Sequence, residues 1–214
     1  MSKFIELYKP YNDYLIESLG LDWYEVSEID GKLGNGPGIY PDVGMLIERL
    51  VSREDIQSVY ESGSGMSTLY FAAAAKKHNK KFISFEEEIK WGDITRGLVS
   101  HFRLPDPVKQ YIEDDSLHLK PPSSIFLDCQ PMLRARLFEQ HPKLLEAKWI
   151  ILDDSENPKH LIPVLGSLAK KGRFNHFWFN PVGRQDRASL LNVDDPDLET
   201  QQWVWNWRPD KIFW

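Results

Sequence analysis

The chain has 214 residues, 42% of them hydrophobic, with a formal net charge of −6. That is enough apolar material for one sizeable core, and the acidic balance argues against nucleic acid or an anionic membrane as the main partner. The single cysteine, Cys129, excludes an internal disulfide framework, and neither an apolar leader nor a run near the roughly 20 residues that span a bilayer is visible. The expectation is a soluble, cytoplasmic, single domain over residues 1–214, with a helical and looped cap (1–55) on an α/β core (56–214).

In chain order, Leu7–Leu19 has apolar residues near helical spacing. Residues 31–41, GKLGNGPGIYP, read as a loop, either a plain connector or a flap over a ligand. Asp42 is placed to cap a helix carrying Met45, Leu46, Leu50 and Val51. Gln57–Glu61 reads as the first strand, and a helix follows from about Ser67 to His78. Lys81–Glu86, Val108–Ile112, Ser124–Leu127 and Lys148–Leu152 are further strands. Their continuous apolar runs suit a parallel sheet covered on both faces. Met132–His141 is a helix between the last two. Asn157 and Pro158 then start a helix that Pro163 kinks or restarts. Phe174–Phe179 and Gln201–Trp207 read as an aromatic antiparallel pair at one edge. The late tryptophans suit core packing, or a homodimer or substrate surface.

Every strand before that pair ends in acids. They are Glu61, Glu86 to Glu88, Glu113 to Asp115, Asp128, and Asp153 with Asp154. In a parallel sheet these ends share one edge, and ligands bind in the crevice outside it. Glu61 leads into a turn with Gly63 and Gly65 that opens a helix, so backbone N–H groups can face a ligand there. The dinucleotide fingerprint wants a third glycine where this chain has Thr68. An acid just before the turn opposes a pyrophosphate and favours a ligand with an ammonium group. A carboxylate at the end of the second strand, Glu86, suits the two hydroxyls of a ribose.

The ordered set ESGSGMST, FISFEEE, IFLDCQPM and WIILDD resembles the class I S-adenosylmethionine-dependent methyltransferases, over about residues 42–180. The resemblance implies a Rossmann-like three-layer sandwich with a mostly parallel seven-stranded sheet and an antiparallel C-terminal strand. It implies that Glu61 and the Gly63–Gly65 turn, with Ser64, Ser67 and Thr68, hold the methionine part of the cofactor. Glu86 would bind the ribose, Asp114 or Asp115 would sit by the adenine, and Asp128 would lie between cofactor and acceptor. Asp128, Asp153 and Asp154 are also spaced as in the metal-dependent catechol and sugar O-methyltransferases, where such acids bind Mg²⁺. The second member of the pair is Asp154, as in the sugar type. The lysine base of the catechol type is missing, since Gln130, Pro131 and Met132 occupy that region. Asp153 and Asp154 read equally as caps of the next helix.

His160 could serve as a general base or be a surface residue, and Cys129 a nucleophile or a buried strand-end thiol. Arg134, Arg136, Arg184 and Arg187 could meet an acidic acceptor or lie on solvated faces. The reading is methyl transfer from S-adenosylmethionine to an oxygen, or less readily a nitrogen, of a small polyhydroxylated or sugar-containing acceptor. An NAD(P)-dependent oxidoreductase and a non-catalytic partner protein are the alternatives.

Overall fold

The computed structural model describes residues 2–34, 38–110, 124–129, 131–153, 158–169, 175–179 and 188–192. The N-terminal helices are α1 (Ser2–Leu19), α2 (Trp23–Leu33) and α3 (Pro41–Val51). Then β1 (Ser58–Ser62), α4 (Met66–His78), β2 (Lys81–Glu86), α5 (Ile89–His101) and β3 (Val108–Gln110) alternate. They are followed by β4 (Ser124–Leu127), α6 (Pro131–Gln140), a 3-10 turn (Pro142–Glu146), β5 (Trp149–Leu152), α7 (Pro158–Ala169), β6 (Asn175–Phe179) and β7 (Ala188–Asn192).

The strands form one sheet in the order β3-β2-β1-β4-β5-β7-β6. All four pairings among β3, β2, β1, β4 and β5 are parallel, as the acid-ended apolar runs predict. The chain winds outward from β1 to β3, then returns to β4 beside β1, so the strand order reverses at the β1–β4 junction. Such a reversal opens a crevice at the C-terminal ends of the strands. Beyond β5 the pairing becomes antiparallel, β5 to β7 and β7 to β6. Among the described residues the partner of Asn175–Phe179 is Ala188–Asn192. The strand is the short apolar run ASLLN inside what reads as a charged loop. Gln201–Trp207 lies outside the described residues.

Side chains alternate across the sheet, and the two faces feed different clusters. Val59, Phe126, Trp149 and Ile151 join α1 to α5. Tyr60, Ile125, Leu127, Ile150 and Leu152 meet Leu137, Phe138 and Val164 from the opposite layer. Full burial of each such side chain stabilises the fold by about 1.5–3 kcal/mol relative to exposure.

The N-terminal segment departs from expectation in three places. The helix read from Leu7 starts at Ser2 and runs across Pro10. Residues 31–33 of the predicted loop complete α2, which ends at Gly34 in the left-handed region, φ 97°. Asp42 is not the cap: Tyr40 holds that position, Pro41 is the first helical residue, and the Asp42 side chain is buried in the first turn. Pro at the first turn suits a helix because its missing N–H has no intrahelical partner there. Pro163 does not restart α7, which is continuous from Pro158 to Ala169.

The caps α1 and α2 are tied together by side chains. Asp22 accepts from the Tyr24 N–H at 2.9 Å and from Asn12 at 3.1 Å, while the Asn12 oxygen accepts from the Trp23 N–H at 2.7 Å. The Trp23 indole donates to the Ile39 carbonyl at 2.9 Å and its ring stacks on Tyr40. That anchors the strap 38–40, where a Cβ on Gly38 would come within 2.7 Å of the Met66 Cβ. The strap thus lies on the first residue of α4, beside the glycine turn.

Candidate active site

The turn between β1 and α4 is built by two acids from two directions. Glu61 stands opposite Ser84 in the β1–β2 register, on the sheet face that meets α4. It is 0% exposed. Its Oε1 accepts from Ser67 Oγ at 2.6 Å, and its Oε2 accepts from Thr68 Oγ1 and Ser84 Oγ, each at 2.6 Å. The Thr68 hydroxyl in turn accepts the Gly65 N–H at 2.9 Å. A relay therefore runs from the turn's backbone through Thr68 to a buried carboxyl. Burial pushes the Glu61 carboxyl up to about 7, against the downward pull of the Ser67, Ser84 and Thr68 hydroxyls, with Glu86 adding to the rise. Both Glu61 oxygens are engaged by protein hydroxyls, so the carboxyl braces the turn expected to hold the methionine part.

Glu86 approaches from the end of β2. Its Oε2 accepts from the Ser64 N–H at 2.8 Å and from Ser64 Oγ at 2.9 Å, and its Oε1 accepts from the Glu88 N–H at 3.0 Å. Ser64 Oγ is also 3.0 Å from Thr95 Oγ1 on α5. Glu86 is partly exposed, so its carboxylate is within reach of a ligand in the crevice.

The glycines differ in what they need. Gly63 has φ 90°, which disfavours any side chain. A Cβ there would also stand 2.5 Å from the Asp128 carbonyl oxygen. Gly65 is extended, with φ 174°, and its Cβ would meet nothing within 4 Å. Space in front of Gly65 is open, at the N-terminus of a 13-residue helix, where backbone N–H groups favour negative or electron-rich atoms.

On the other side of the crevice, Asp128 and Asp153 directly follow Leu127 and Leu152, which are paired in register. Adjacent parallel strands are about 4.8 Å apart, so the two aspartates leave the sheet side by side. Asp128 is exposed and Asp153 half-buried. Arg134 is not on a solvated face. It is 0% exposed, and its Nε and Nη1 donate to the Cys129 carbonyl at 2.8 Å and the Asp153 carbonyl at 2.6 Å. Arg136 is exposed. Cys129 is a buried thiol pushed up by its burial, which outweighs the Ser62 hydrogen bond and the Arg134 charge. That environment keeps it protonated and unreactive. His160 falls in the first turn of α7. Asp114, Asp115, Asp154, Arg184 and Arg187 lie outside the described residues. Among the described residues, no group of three or more His, Cys, Asp or Glu gathers as a metal site would require.

Sequence reasoning missed Ser84, Thr95 and the buried role of Arg134. Ser84 had a signal: it is a polar residue inside the apolar strand KFISFE, two residues before Glu86. Arg134 had none, since its acceptors are main-chain carbonyls.

No family model and no curated protein sequence matches the chain. Solved structures do. An O-methyltransferase from Bacillus cereus in complex with SAH is 19% identical, with a TM-score of 0.65 over 89% of this chain and 100% of that one. Cofactor-bound Rv0187 from MTB is 17% identical, with a TM-score of 0.64 over 85% of this chain and 94% of that one. The O-methyltransferase TomG from Streptomyces achromogenes, in complex with SAM and involved in tomaymycin synthesis, is 14% identical, with a TM-score of 0.58 over 88% of this chain and 99% of that one. At these identities the likeness is one of architecture. The chain has the Rossmann-like fold of the class I S-adenosylmethionine-dependent methyltransferases.

Proposed function

We propose that the protein transfers the methyl group of S-adenosylmethionine to an oxygen, less readily a nitrogen, of a small polyhydroxylated or sugar-containing acceptor. The observation that carries this reading is the meeting of Ser64 and Glu86 across the glycine turn, beside the open space at Gly65. A ribose entering the crevice would exchange its hydroxyls for the Ser64 bonds on Glu86. The amino-acid tail would lie along the turn, over the N-terminus of α4. The sulfonium methyl would then point toward Asp128, at the acceptor side. Similar structures holding SAH or SAM support the cofactor.

Methyl transfer forms an acceptor O–C bond as the S–C bond breaks. The sulfonium becomes a neutral thioether and the hydroxyl proton leaves. Most of the rate would come from holding the oxygen in line with the departing sulfur. Asp128 and Asp153 are the described acids placed to hold acceptor hydroxyls or take that proton, and His160 is the remaining candidate base. Thr68 stands where the dinucleotide fingerprint has its third glycine, the one for close helix–strand packing, and an acid precedes the turn, so the oxidoreductase reading is the less favoured. Calorimetry with S-adenosylhomocysteine and with NAD(H) tests the choice. Micromolar binding of the first alone is the expected result; binding of NAD(H) alone would reverse it. Release of label from methyl-labelled S-adenosylmethionine onto a panel of polyols and glycosides then identifies the acceptor class.

A second reading adds magnesium at Asp128, Asp153 and Asp154. The side-by-side exit of Asp128 and Asp153 favours it, since two hard oxygen donors suit such an ion. When bound, the ion would lower an acceptor hydroxyl's pKa. Calorimetric titration of the S-adenosylhomocysteine complex with Mg²⁺, with Asp128→Asn as control, decides it: heat in both proteins, or in neither, rules the site out.

A further inference from the structure

We infer that Arg134 is a positioning residue for this site, one that sets the shape of the cofactor turn from behind; the inference rests on the cofactor reading above. A guanidinium with no exposure is costly to bury, and an apolar side chain of similar volume often serves a core better. Here two of its N–H groups go to main-chain oxygens, at the ends of two adjacent strands. The planar fork suits that task, because two N–H groups of fixed angle hold two carbonyls at a fixed separation.

The first carbonyl belongs to Cys129, the residue whose N–H and preceding carbonyl lie under Gly63. A Cβ on Gly63 would be 2.5 Å from the Asp128 oxygen and 3.0 Å from the Cys129 nitrogen. Cys129 is thus held on both sides: the peptide before it lies against the glycine turn, and the carbonyl after it is bonded by the guanidinium. Losing the Arg134 bond frees the second peptide, and through the Cys129 backbone loosens the one that packs on Gly63. Gly63 leads directly to Ser64, whose N–H meets Glu86. Asp128 leaves the same peptide toward the acceptor side. One buried cation therefore fixes the turn that takes the cofactor and the direction of the acid that faces the methyl. The Asp153 carbonyl, held by the same fork, sets the second acid in register with the first.

The alternative is that Arg134 only fills the core, and then methionine would replace it without cost to the site. The chain's one cysteine gives a readout that needs no ligand. Cys129 is buried and carries the carbonyl that Arg134 holds, so its reaction with a neutral disulfide reagent such as 4,4′-dithiodipyridine reports the freedom of that backbone. In Arg134→Met the thiol should react at least tenfold faster, and S-adenosylhomocysteine should bind at least tenfold more weakly by calorimetry. Arg134→Lys keeps a cation without the fork and should fall between. In Arg134→Ala, added methylguanidinium should restore protection of Cys129. Wild-type protection and wild-type affinity in Arg134→Met overturn the proposal. Faster labelling with unchanged affinity also overturns it, because the residue would then brace the strand ends only. If the methionine variant does not fold, the same two outcomes are read from Arg134→Lys. A wild-type protein that fails to bind S-adenosylhomocysteine sinks the cofactor reading, while Cys129 labelling still decides whether Arg134 pins the peptide.

Discussion

Gly63 faces the carbonyl oxygen of Asp128 so closely that a Cβ would stand 2.5 Å from it. The contact joins the glycine turn after β1 to the acid after β4 across the point where strand order reverses. Together with φ 90° it makes Gly63 a structural requirement, whereas Gly65 is free of both constraints. The two glycines should therefore separate cleanly. Gly63→Ala should lose roughly 2–4 kcal/mol of stability through strain and clash. Gly65→Ala should melt like wild type but lose tenfold or more in affinity for S-adenosylhomocysteine, because its methyl projects into the ligand's space. Thermal scans and calorimetry on both variants check this. A Gly65→Ala protein with full affinity would show that the open space is not the cofactor's.

Glu86→Gln should act on binding more than on folding. The carboxylate is partly exposed and holds Ser64 and the Glu88 N–H. The amide retains one acceptor oxygen, so the turn keeps part of its support and stability should fall by no more than about 1 kcal/mol. The amide cannot accept from both hydroxyls of a ribose with the strength of a charged group. Affinity for S-adenosylhomocysteine should drop tenfold or more, and affinity for methionine alone should change little. Equal losses for both ligands would place Glu86 away from the ribose.

The parallel strands were legible because each is an apolar run closed by an acid or a turn, and for β2 and β4 the sequence marks both ends. α5 was not read as a helix, since Gly92, Gly97 and several β-branched residues weaken its signal. α2 was missed although Asp22 and Glu25 form a start signature. At the site, the glycine turn and Glu86 could be found from local pattern. The burial of Glu61 could not, because it depends on Ser84 arriving from the neighbouring strand. Arg134 read as a surface residue for a similar reason: charge suggests solvent until the fold brings two strand-end carbonyls to meet it.

Glu48 should matter for docking the N-terminal cap and not for the site. It is 3% exposed, accepts from Tyr14 Oη, and lies 3.0 Å from Lys77 Nζ and 2.8 Å from His78 Nε2. The cluster joins α1 and α3 to the C-terminal end of α4, the end away from Gly65. Glu48→Ala leaves these partners without their acceptor, at a cost of roughly 2–4 kcal/mol. The expected result is a lower melting temperature with affinity for S-adenosylhomocysteine within twofold of wild type at a temperature where both are folded. A large affinity change would mean that the cap transmits its position to the turn.

Glu61 should leave a pH signature opposite to that of ordinary acids. Burial raises its carboxyl from 4.5 to about 7 in the folded protein, so at intermediate pH the folded state binds more protons than the unfolded one. Stability then falls as pH rises from about 4.5 to about 7 and levels off above that. The full difference is on the order of 3 kcal/mol. Asp55, lowered to about 2 with Arg53 and Lys148 as its partners, contributes the other way, its stabilisation being lost as pH falls from about 4 toward 2. The difference between wild type and Glu61→Gln removes that background. The variant should be the more stable protein at pH 8 relative to its own value at pH 5, as read by denaturant unfolding at the two pH values. Parallel pH profiles for the two proteins would show that Glu61 stays ionised throughout, held by Ser67, Thr68 and Ser84 despite its burial.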